Sequence, residues 1–363
     1  MTICYQGPLF DHSGYGEANR NAVAALDKAG VKVIAKSISY VAESSDPGPV
    51  GRKMRELCDN VGSYKVKILH VTPDQYSKHM EPGKYHIGHF FWETDRVPDD
   101  FAKGLKLMDE IWTGSEANVQ AIRNSGIEVP VFVFPQAIDT EILWPNHPYK
   151  IRDFNGYKFY SIFEWIDRKN PEALLNAYWE EFEGQDDVCL IVKTYFKNFT
   201  LNNKRHIRTQ IEKMKRKSKV KQFPKVLIYL DLMDRKHILR LHETGDCYVT
   251  PHRGEGWGLP TVEAMLADKP VITTGYGGVG EYIQDSIPFQ MVPLRGMAHS
   301  SRWYTREQNW AEPDIDALKA KMRTAYNGKL VGKGNAGSVK KMFNYETVGK
   351  AMARRLKVIE GKL

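Results

Sequence analysis

Short apolar runs alternate along most of the chain with stretches of helical periodicity, and this alternation limits the fold more than any other feature. Strands of this kind need cover on their faces, and the helices between them supply it. The pattern therefore predicts an α/β fold of layered, mainly parallel sheets. The first series of expected strands is Ile3 to Gln6, Val31 to Ala35, Val66 to Val71, His86 to Phe91, Glu110 to Thr113 and Val131 to Phe134. Helices are expected over Gly16 to Ala29, Asp99 to Met108 and Glu116 to Asn124, the last capped by Ser115. A second series follows the Pro145 to Pro148 region, with strands at Lys158 to Phe163, Val188 to Thr194, Val226 to Leu230, Cys247 to Thr250 and Val271 to Thr273.

A chain of 363 residues has room for a sizeable core in each of two domains. The expected division is 1–138 and 149–344, joined between Pro135 and Pro148. With 42% hydrophobic and 26% charged residues the composition is that of a soluble globular protein. No apolar stretch approaches the ~20 residues that span a bilayer. The first residues, Met1 to Pro8, lack the basic and apolar regions of a signal peptide. Cys4, Cys58, Cys189 and Cys247 are scattered without metal or redox spacing, and three lie in apolar runs. The expected setting is reducing and cytoplasmic. There is no internal repeat and no low-complexity tract.

The segment from Thr250 to Ile283 carries the densest chemistry. Glu255 and Glu263 are separated by seven residues, with Gly254, Gly256, Trp257, Gly258 and Leu259-Pro260 between them. Pro260 fits a first helical turn, where its missing N–H costs nothing. Glu255 then lies in the loop ahead of a helix and Glu263 about one turn inside it. Helix-end amides attract an anion and carboxylates accept hydrogen bonds from hydroxyls, a combination suited to a phosphorylated sugar. For a single pair of acids, a cap and a solvated helix residue would be the simpler reading. The flanking Pro270-Val271-Ile272 strand and a second glycine turn argue against it here.

This segment resembles the nucleotide-sugar signature of the GT-B glycosyltransferases, in particular the large retaining family of sucrose synthases and bacterial mannosyltransferases (family four). The resemblance extends more weakly over most of the chain. It implies two Rossmann-like domains facing across a cleft, an acceptor-side domain followed by a nucleotide-sugar domain. It also implies a last helix, 345–363, crossing back to the first domain. By the same resemblance Glu255 contacts the donor sugar and Glu263 holds the ribose hydroxyls. Donor contacts are expected from Gly256, Trp257, Gly258 and Leu259.

Transfer from a nucleotide sugar requires positive groups where the leaving diphosphate gains charge. Arg168-Lys169-Asn170-Pro171 follows a strand and precedes a helix, and the resemblance assigns donor-phosphate contact to Lys169 first and Arg168 second. Many relatives carry a further Arg a few residues earlier; here that place reads Ile162-Phe163, and Lys193 is the candidate replacement.

Gly275-Tyr276-Gly277-Gly278-Val279-Gly280 matches a dinucleotide fingerprint in form, yet the acid expected about 20 residues on is missing. The turn is expected to close over the donor through Gly277 and Gly278, with Glu281 opening a helix. In the first domain Asp11-His12-Ser13-Gly14-Tyr15-Gly16 leads into a helix. Gly14, Tyr15 and Gly16 there form either a diphosphate-facing turn or a plain tight one. His89 is the match to a family His near the reacting centre, with His86 the alternate. Glu93 either orients the acceptor or pairs with Arg96. His252 and Arg253 have no assigned role.

No cofactor is expected beyond the nucleotide-sugar co-substrate, and no metal. Asp314-Ile315-Asp316 reads as helix N-terminal charge. Residues 294–312 read as a long aromatic loop. Net charge is +8, and ten Lys and Arg between Lys204 and Lys225 face only Glu212. This run is a solvated helix face or a contact for a polyanion, nucleic acid or anionic membrane. The expected acceptor is a glycan or lipid-linked saccharide. Hydroxymethylated bases of phage-type DNA are the alternative, and a non-catalytic sugar-nucleotide or nucleic-acid binding protein a further one.

Overall fold

The computed structural model describes residues 1–11, 13–39, 48–141, 144, 147–197, 199–294, 303–330 and 336–363. The chain divides into two compact units. One comprises Met1–Ile142, Arg302–Gln308 and Ser338–Leu363; the other comprises Leu143–Ser301 and Asn309–Gly337.

The first unit runs β1 (Thr2–Gly7), α1 (Gly14–Lys28), β2 (Lys32–Ser37), α2 (Gly48–Cys58), β3 (Val66–Leu69) and α3 (Tyr76–His79). It continues through β4 (Tyr85–His89), α4 (Asp99–Leu105), β5 (Glu110–Thr113), α5 (Glu116–Asn124) and β6 (Val131–Val133). The six strands form a parallel sheet in the order β2-β1-β3-β4-β5-β6. The order reverses between β1 and β3, so the connections leaving those strands diverge at the carboxyl edge of the sheet. Such a switch point is where open α/β sheets place their ligands. Ser13 caps α1 by accepting from the Gly16 N–H at 3.1 Å, and Ser115 caps α5 in the same way. α2 was absent from the sequence expectation: its apolar positions Met54 and Leu57 are few among Arg52, Lys53, Arg55 and Glu56.

The second unit runs β7 (Tyr157–Glu164), α6 (Pro171–Glu181), β8 (Val188–Tyr195), α7 (Leu201–Lys217), β9 (Lys225–Tyr229) and α8 (Arg235–Thr244). Then follow β10 (Cys247–Thr250), α9 (Leu259–Leu266), β11 (Val271–Thr273), β12 (Phe289–Pro293), β13 (Asn309–Pro313) and α10 (Ile315–Tyr326). Its parallel sheet has the order β11-β10-β7-β8-β9, with the switch point between β7 and β10. The core between this sheet and helices α6, α7 and α10 holds Phe159, Trp179, Phe182, Ile207 and Met322, all buried. Each such side chain contributes about 1.5–3 kcal/mol by leaving water.

Two further helices, α11 (Ala336–Phe343) and α12 (Tyr345–Glu360), close the chain. In the first unit Val348, Met352, Leu356 and Ile359 of α12 join the core containing α1 residues Val23 and Leu26. Arg355 of α12 is paired to the buried Glu110 of β5.

Two expectations are corrected. The 294–312 segment is not one loop: 295–302 lie outside the described residues, and Asn309–Pro313 is a strand antiparallel to Phe289–Pro293. Trp303 packs on Phe101 and Tyr304 stacks on Trp92 with ring centroids 5.3 Å apart, both within the first unit. Glu281 does not open a helix but ends a 3-10 turn, Gly277–Glu281. Asp314 caps α10 by accepting from the Ala317 N–H at 2.9 Å, in line with its reading as helix-end charge.

Candidate active site

At the switch point of the second sheet three loops interlock. The loop after β7 is a short 3-10 turn, Asp167–Lys169, ending at Asn170. Asn170 takes a left-handed conformation (φ 55°) and caps α6, accepting from the Ala173 N–H at 3.3 Å with Pro171 following. The loop after β10 ends at Gly258, whose φ of 87° feeds α9 through Leu259 and Pro260. Arg168 donates through Nη1 to the Gly254 carbonyl at 2.7 Å, and the Arg253 N–H donates to the Arg168 carbonyl at 2.7 Å. Arg253 Nη1 donates to the Asp167 carbonyl at 2.8 Å. The third loop, after β11, joins through the Gly278 N–H, which donates to the Glu255 carbonyl at 2.9 Å. Gly277 has φ 78°, and a Cβ there would lie 2.2 Å from the Glu255 carbonyl oxygen, so only glycine fits. Trp257 is buried beside Tyr282, which donates its hydroxyl to the Trp257 carbonyl at 2.6 Å, and Gly256, between Glu255 and Trp257 in the chain, is buried too.

The Glu255 carboxylate, 14% exposed, is paired to Lys169 Nζ and lies 3.6 Å from Arg168 Nη1. Burial pushes its pKa up, but Lys169, Arg168 and His252 outweigh burial and hold it at about 2. Glu255 is therefore an anion and hydrogen-bond acceptor at physiological pH and has no proton to deliver. His252 is fully buried, and neither of its ring nitrogens has a hydrogen-bond partner among the described residues. Burial lowers its pKa to about 3, so it is neutral.

Glu263 is on α9 but not in solvent: its side chain is 3% exposed. Arg235 Nη1 lies 2.6 Å from one oxygen, and His242 Nε2 donates to the other at 3.3 Å. Tyr160 in turn donates to His242 Nδ1 at 3.0 Å. Lys193, near the carboxyl end of β8, is buried with its ammonium 5.3 Å from the Phe199 ring. Burial lowers its pKa to about 8.

In the first unit, Gly14, Tyr15 and Gly16 form the first turn of α1; His12 lies outside the described residues. Tyr15 packs its ring against His70 at 5.1 Å. His89 ends β4, buried and stacked on His70 at 4.2 Å. His86, three residues back, is on the opposite face of the strand and accepts from the Glu81 N–H through Nε2 at 3.0 Å. Glu93 accepts from Tyr304 at 3.1 Å.

Lys169, Arg168, Glu255 and the turn at Gly277 and Gly278 are thus brought together in one unit. Glu263 has its own partners in that unit, while His89 and the Gly14 turn belong to the other. Sequence reasoning missed His70, Tyr5, Arg235 and His242. His70 alone carried a signal, a histidine near the end of the apolar run from Val66 to Val71.

Residues 206–288 match the family model described as Glycosyl transferases group 1. No curated protein matches the chain. Among solved structures, sucrose-phosphate synthase of Thermosynechococcus elongatus superposes with a TM-score of 0.68 at 13% identity, covering 100% of both chains. HepE of Anabaena, in complex with UDP and glucose, gives 0.58 at 13% identity over 99% of this chain and 100% of that one. TarM of S. aureus, in complex with Fondaparinux, alpha-GlcNAc-glycerol and UDP, gives 0.55 at 12% identity over 80% of this chain. The chain spans 54% of TarM's length. The chain therefore has the two-unit α/β fold seen in the GT-B glycosyltransferases, and its residues 206–288 are similar to the group 1 glycosyl transferases. Among the described residues no helix is long and apolar enough to cross a membrane.

Proposed function

We propose that the protein is a retaining glycosyltransferase that moves a sugar from a nucleotide diphosphate to a hydroxyl acceptor without a resident metal. The observation that carries this reading is the Lys169–Glu255–Arg168 cluster at the switch point of the second sheet. Lys169 and Arg168 supply fixed positive charge for the departing diphosphate, which gains charge as its bond to the anomeric carbon breaks. Glu255 orients Lys169 and accepts from a donor-sugar hydroxyl. Glu263, fixed by Arg235 and His242, accepts from the ribose. Lys193 adds a further cation where Ile162-Phe163 supplies none.

Glu255 is held far below neutrality and cannot act as the general acid. The acceptor's proton instead leaves with the diphosphate oxygen, on the face that the acceptor oxygen attacks. The new bond joins that oxygen to the anomeric carbon, and nucleotide diphosphate departs. HepE and TarM hold UDP, which favours a uridine donor.

The acceptor we favour is a glycan or lipid-linked saccharide. The face of α7 favours a second reading, hydroxymethylated DNA: Ile207 and Ile211 turn to the core, while Arg205, Arg208, Lys213, Arg216 and Lys217 are exposed. Nucleotide diphosphate release from a panel of nucleotide sugars, with each acceptor class, tests both. Release that one acceptor stimulates and that Lys169→Ala abolishes is the expected result. Steep loss with salt marks the DNA acceptor. Silence across all donors from folded protein would leave a binding protein on the same fold.

A further inference from the structure

The basic run that begins at Lys204 has a place in the fold that the donor chemistry leaves unused. Leu201, Lys204, Arg205 and Arg208 are spaced i, i+3, i+4 and i+7 along α7, so they form one stripe of the helix. A stripe of that spacing is ordinarily apolar and packs on a sheet. Here the neighbouring stripe does the packing, where Ile207 and Ile211 enter the core. The charged stripe faces the outer edge of the second sheet, at the carboxyl end of β9, and encloses with it a pocket of about 290 Å³. Ile228 and Leu230 form its apolar floor, and Leu201, 75% exposed, its open rim.

Three cations and one carboxylate line this pocket. Lys204 is paired to Asp231, just beyond the end of β9. Arg205 donates through Nη1 to Asn202 Oδ1 at 3.3 Å. Among the described residues neither Arg205 nor Arg208 has a carboxylate within ion-pair distance. Glu212, one turn beyond Arg208, pairs with Lys215 at 3.8 Å instead. Arg208 therefore follows two like charges at three and four residues, a spacing that destabilises a helix unless an anion offsets it. Two positive charges are left over, and a phosphomonoester carries about −1.5 to −2 at neutral pH. Guanidinium forks match phosphate oxygens, and the apolar floor suits the carbon that a phosphate ester carries.

We propose that this pocket binds the phosphate group of a phosphomonoester, as a site separate from that of the donor diphosphate. The donor cluster lies at the switch point between β7 and β10, whereas the pocket lies on β9, with β8 between β9 and β7. Arg205 and Arg208 hold the phosphate oxygens, Lys204 is shared between the phosphate and Asp231, and Leu201 with Ile228 covers the ester carbon. None of these residues enters the transfer chemistry. The ligand is a phosphate on a carbon chain, either a free ester or a lipid headgroup.

Isothermal titration calorimetry of the full chain with glycerol 3-phosphate, at physiological salt, tests the site. The donor cluster also offers cations to a phosphate, so the titration is repeated on Lys169→Ala. Binding should persist in Lys169→Ala. It should weaken about tenfold to a hundredfold in the double variant Arg205→Gln, Arg208→Gln, the worth of one charged hydrogen bond. Without ligand that double variant should melt no lower than the parent, because its substitutions relieve repulsion and empty no packed space. A second arm replaces the free ester by vesicles of phosphatidylcholine with and without phosphatidic acid, read by co-sedimentation. Binding of the free ester assigns the site to a soluble phosphate. Binding to phosphatidic acid vesicles alone, lost in the double variant, assigns it to a lipid headgroup. Affinity unchanged in the double variant, or lost only in Lys169→Ala, overturns the proposal. So does silence in both arms, and so does a double variant that melts lower, which would make the arginines structural.

Discussion

The two sheets reverse strand order once each, and the two switch points are chemical opposites. At β7/β10 the edge carries ions: Lys169 and Arg168 against Glu255, with loops locked by backbone hydrogen bonds. At β1/β3 the edge carries neutral aromatic rings, with two buried nitrogens left over. Charge held in place by its own counter-charge can stabilise a developing anion without reorganising. Buried neutral rings hold no such charge and interact by packing and directional hydrogen bonds. The two edges thus differ in kind, fixed charge at one and buried neutral rings at the other.

The sharpest way to break this comparison is to remove the charge. Lys169→Ala and Glu255→Gln should each lower kcat/KM by about 10²- to 10³-fold, the cost of losing one preorganised electrostatic group. Steady-state release of nucleotide diphosphate measures it. A loss of less than about tenfold would show that the fixed charge is not what sets this edge apart.

The same contrast explains what was legible beforehand. Glu255, Glu263, Arg168 and Lys169 could be placed on loop or helix beforehand because each pair lies within one strand–turn–helix unit, while the roles given to them came from the family resemblance. The parallel sheets were legible for a similar reason, since buried strands show as apolar runs. Tyr5, His70 and His89 are 65 and 19 residues apart in turn and meet only through strand register, which one sequence does not display. Arg235 and His242 escaped because α8 shows no motif until Glu263 is seen packed against it. The β12–β13 pair escaped because Phe289 to Pro293 is largely exposed and lacks the apolar signature of a buried strand.

The next largest effect concerns rigidity. Gly277→Ala places a methyl 2.2 Å from the Glu255 carbonyl oxygen in a left-handed backbone, and should cost about 3 kcal/mol. Chemical denaturation measures it. A neutral result would show that the loops at the charged edge yield, and that their interlocking is not what holds Glu255 in place.

Acid titration sharpens the comparison further. His70, His89, His242 and His252 all have pKa values lowered by burial. The unfolded chain takes up their protons first, so the stability they confer is complete above about 6.5 and is lost as pH falls below it. Each such ring contributes a slope of up to about 1.4 kcal/mol per pH unit. Glu255 is lowered to about 2, so its share is complete above about 4.5 and lost only as pH falls towards 2. Denaturation midpoints should therefore drop from pH 6.5 to 4.5 through the imidazoles, before Glu255 begins to matter. His89→Gln should flatten that first phase. A curve flat down to pH 4.5 would mean that the rings are already protonated and that the neutral edge is not neutral.

The smallest effect tests whether the charged edge is braced from outside its loops. Glu312 of β13 accepts from Arg253 Nε at 2.6 Å and Nη2 at 3.0 Å, while Arg253 lies over Trp310 and holds the Asp167 carbonyl. The Ala311 N–H donates to the Arg253 carbonyl at 2.8 Å, so the hairpin grips this residue at both ends. Arg253 also carries the loop that positions Glu255. Glu312→Gln keeps one acceptor oxygen and the shape but removes the charge, and Glu312 is 37% exposed, so the expected cost is about 1 kcal/mol or less. If the hairpin braces the loop, the variant should raise the KM for the donor a few-fold with kcat retained, because Lys169 stays in place. An unchanged KM would assign β12–β13 to packing alone and leave the three interlocked loops as the whole support of the ionic edge.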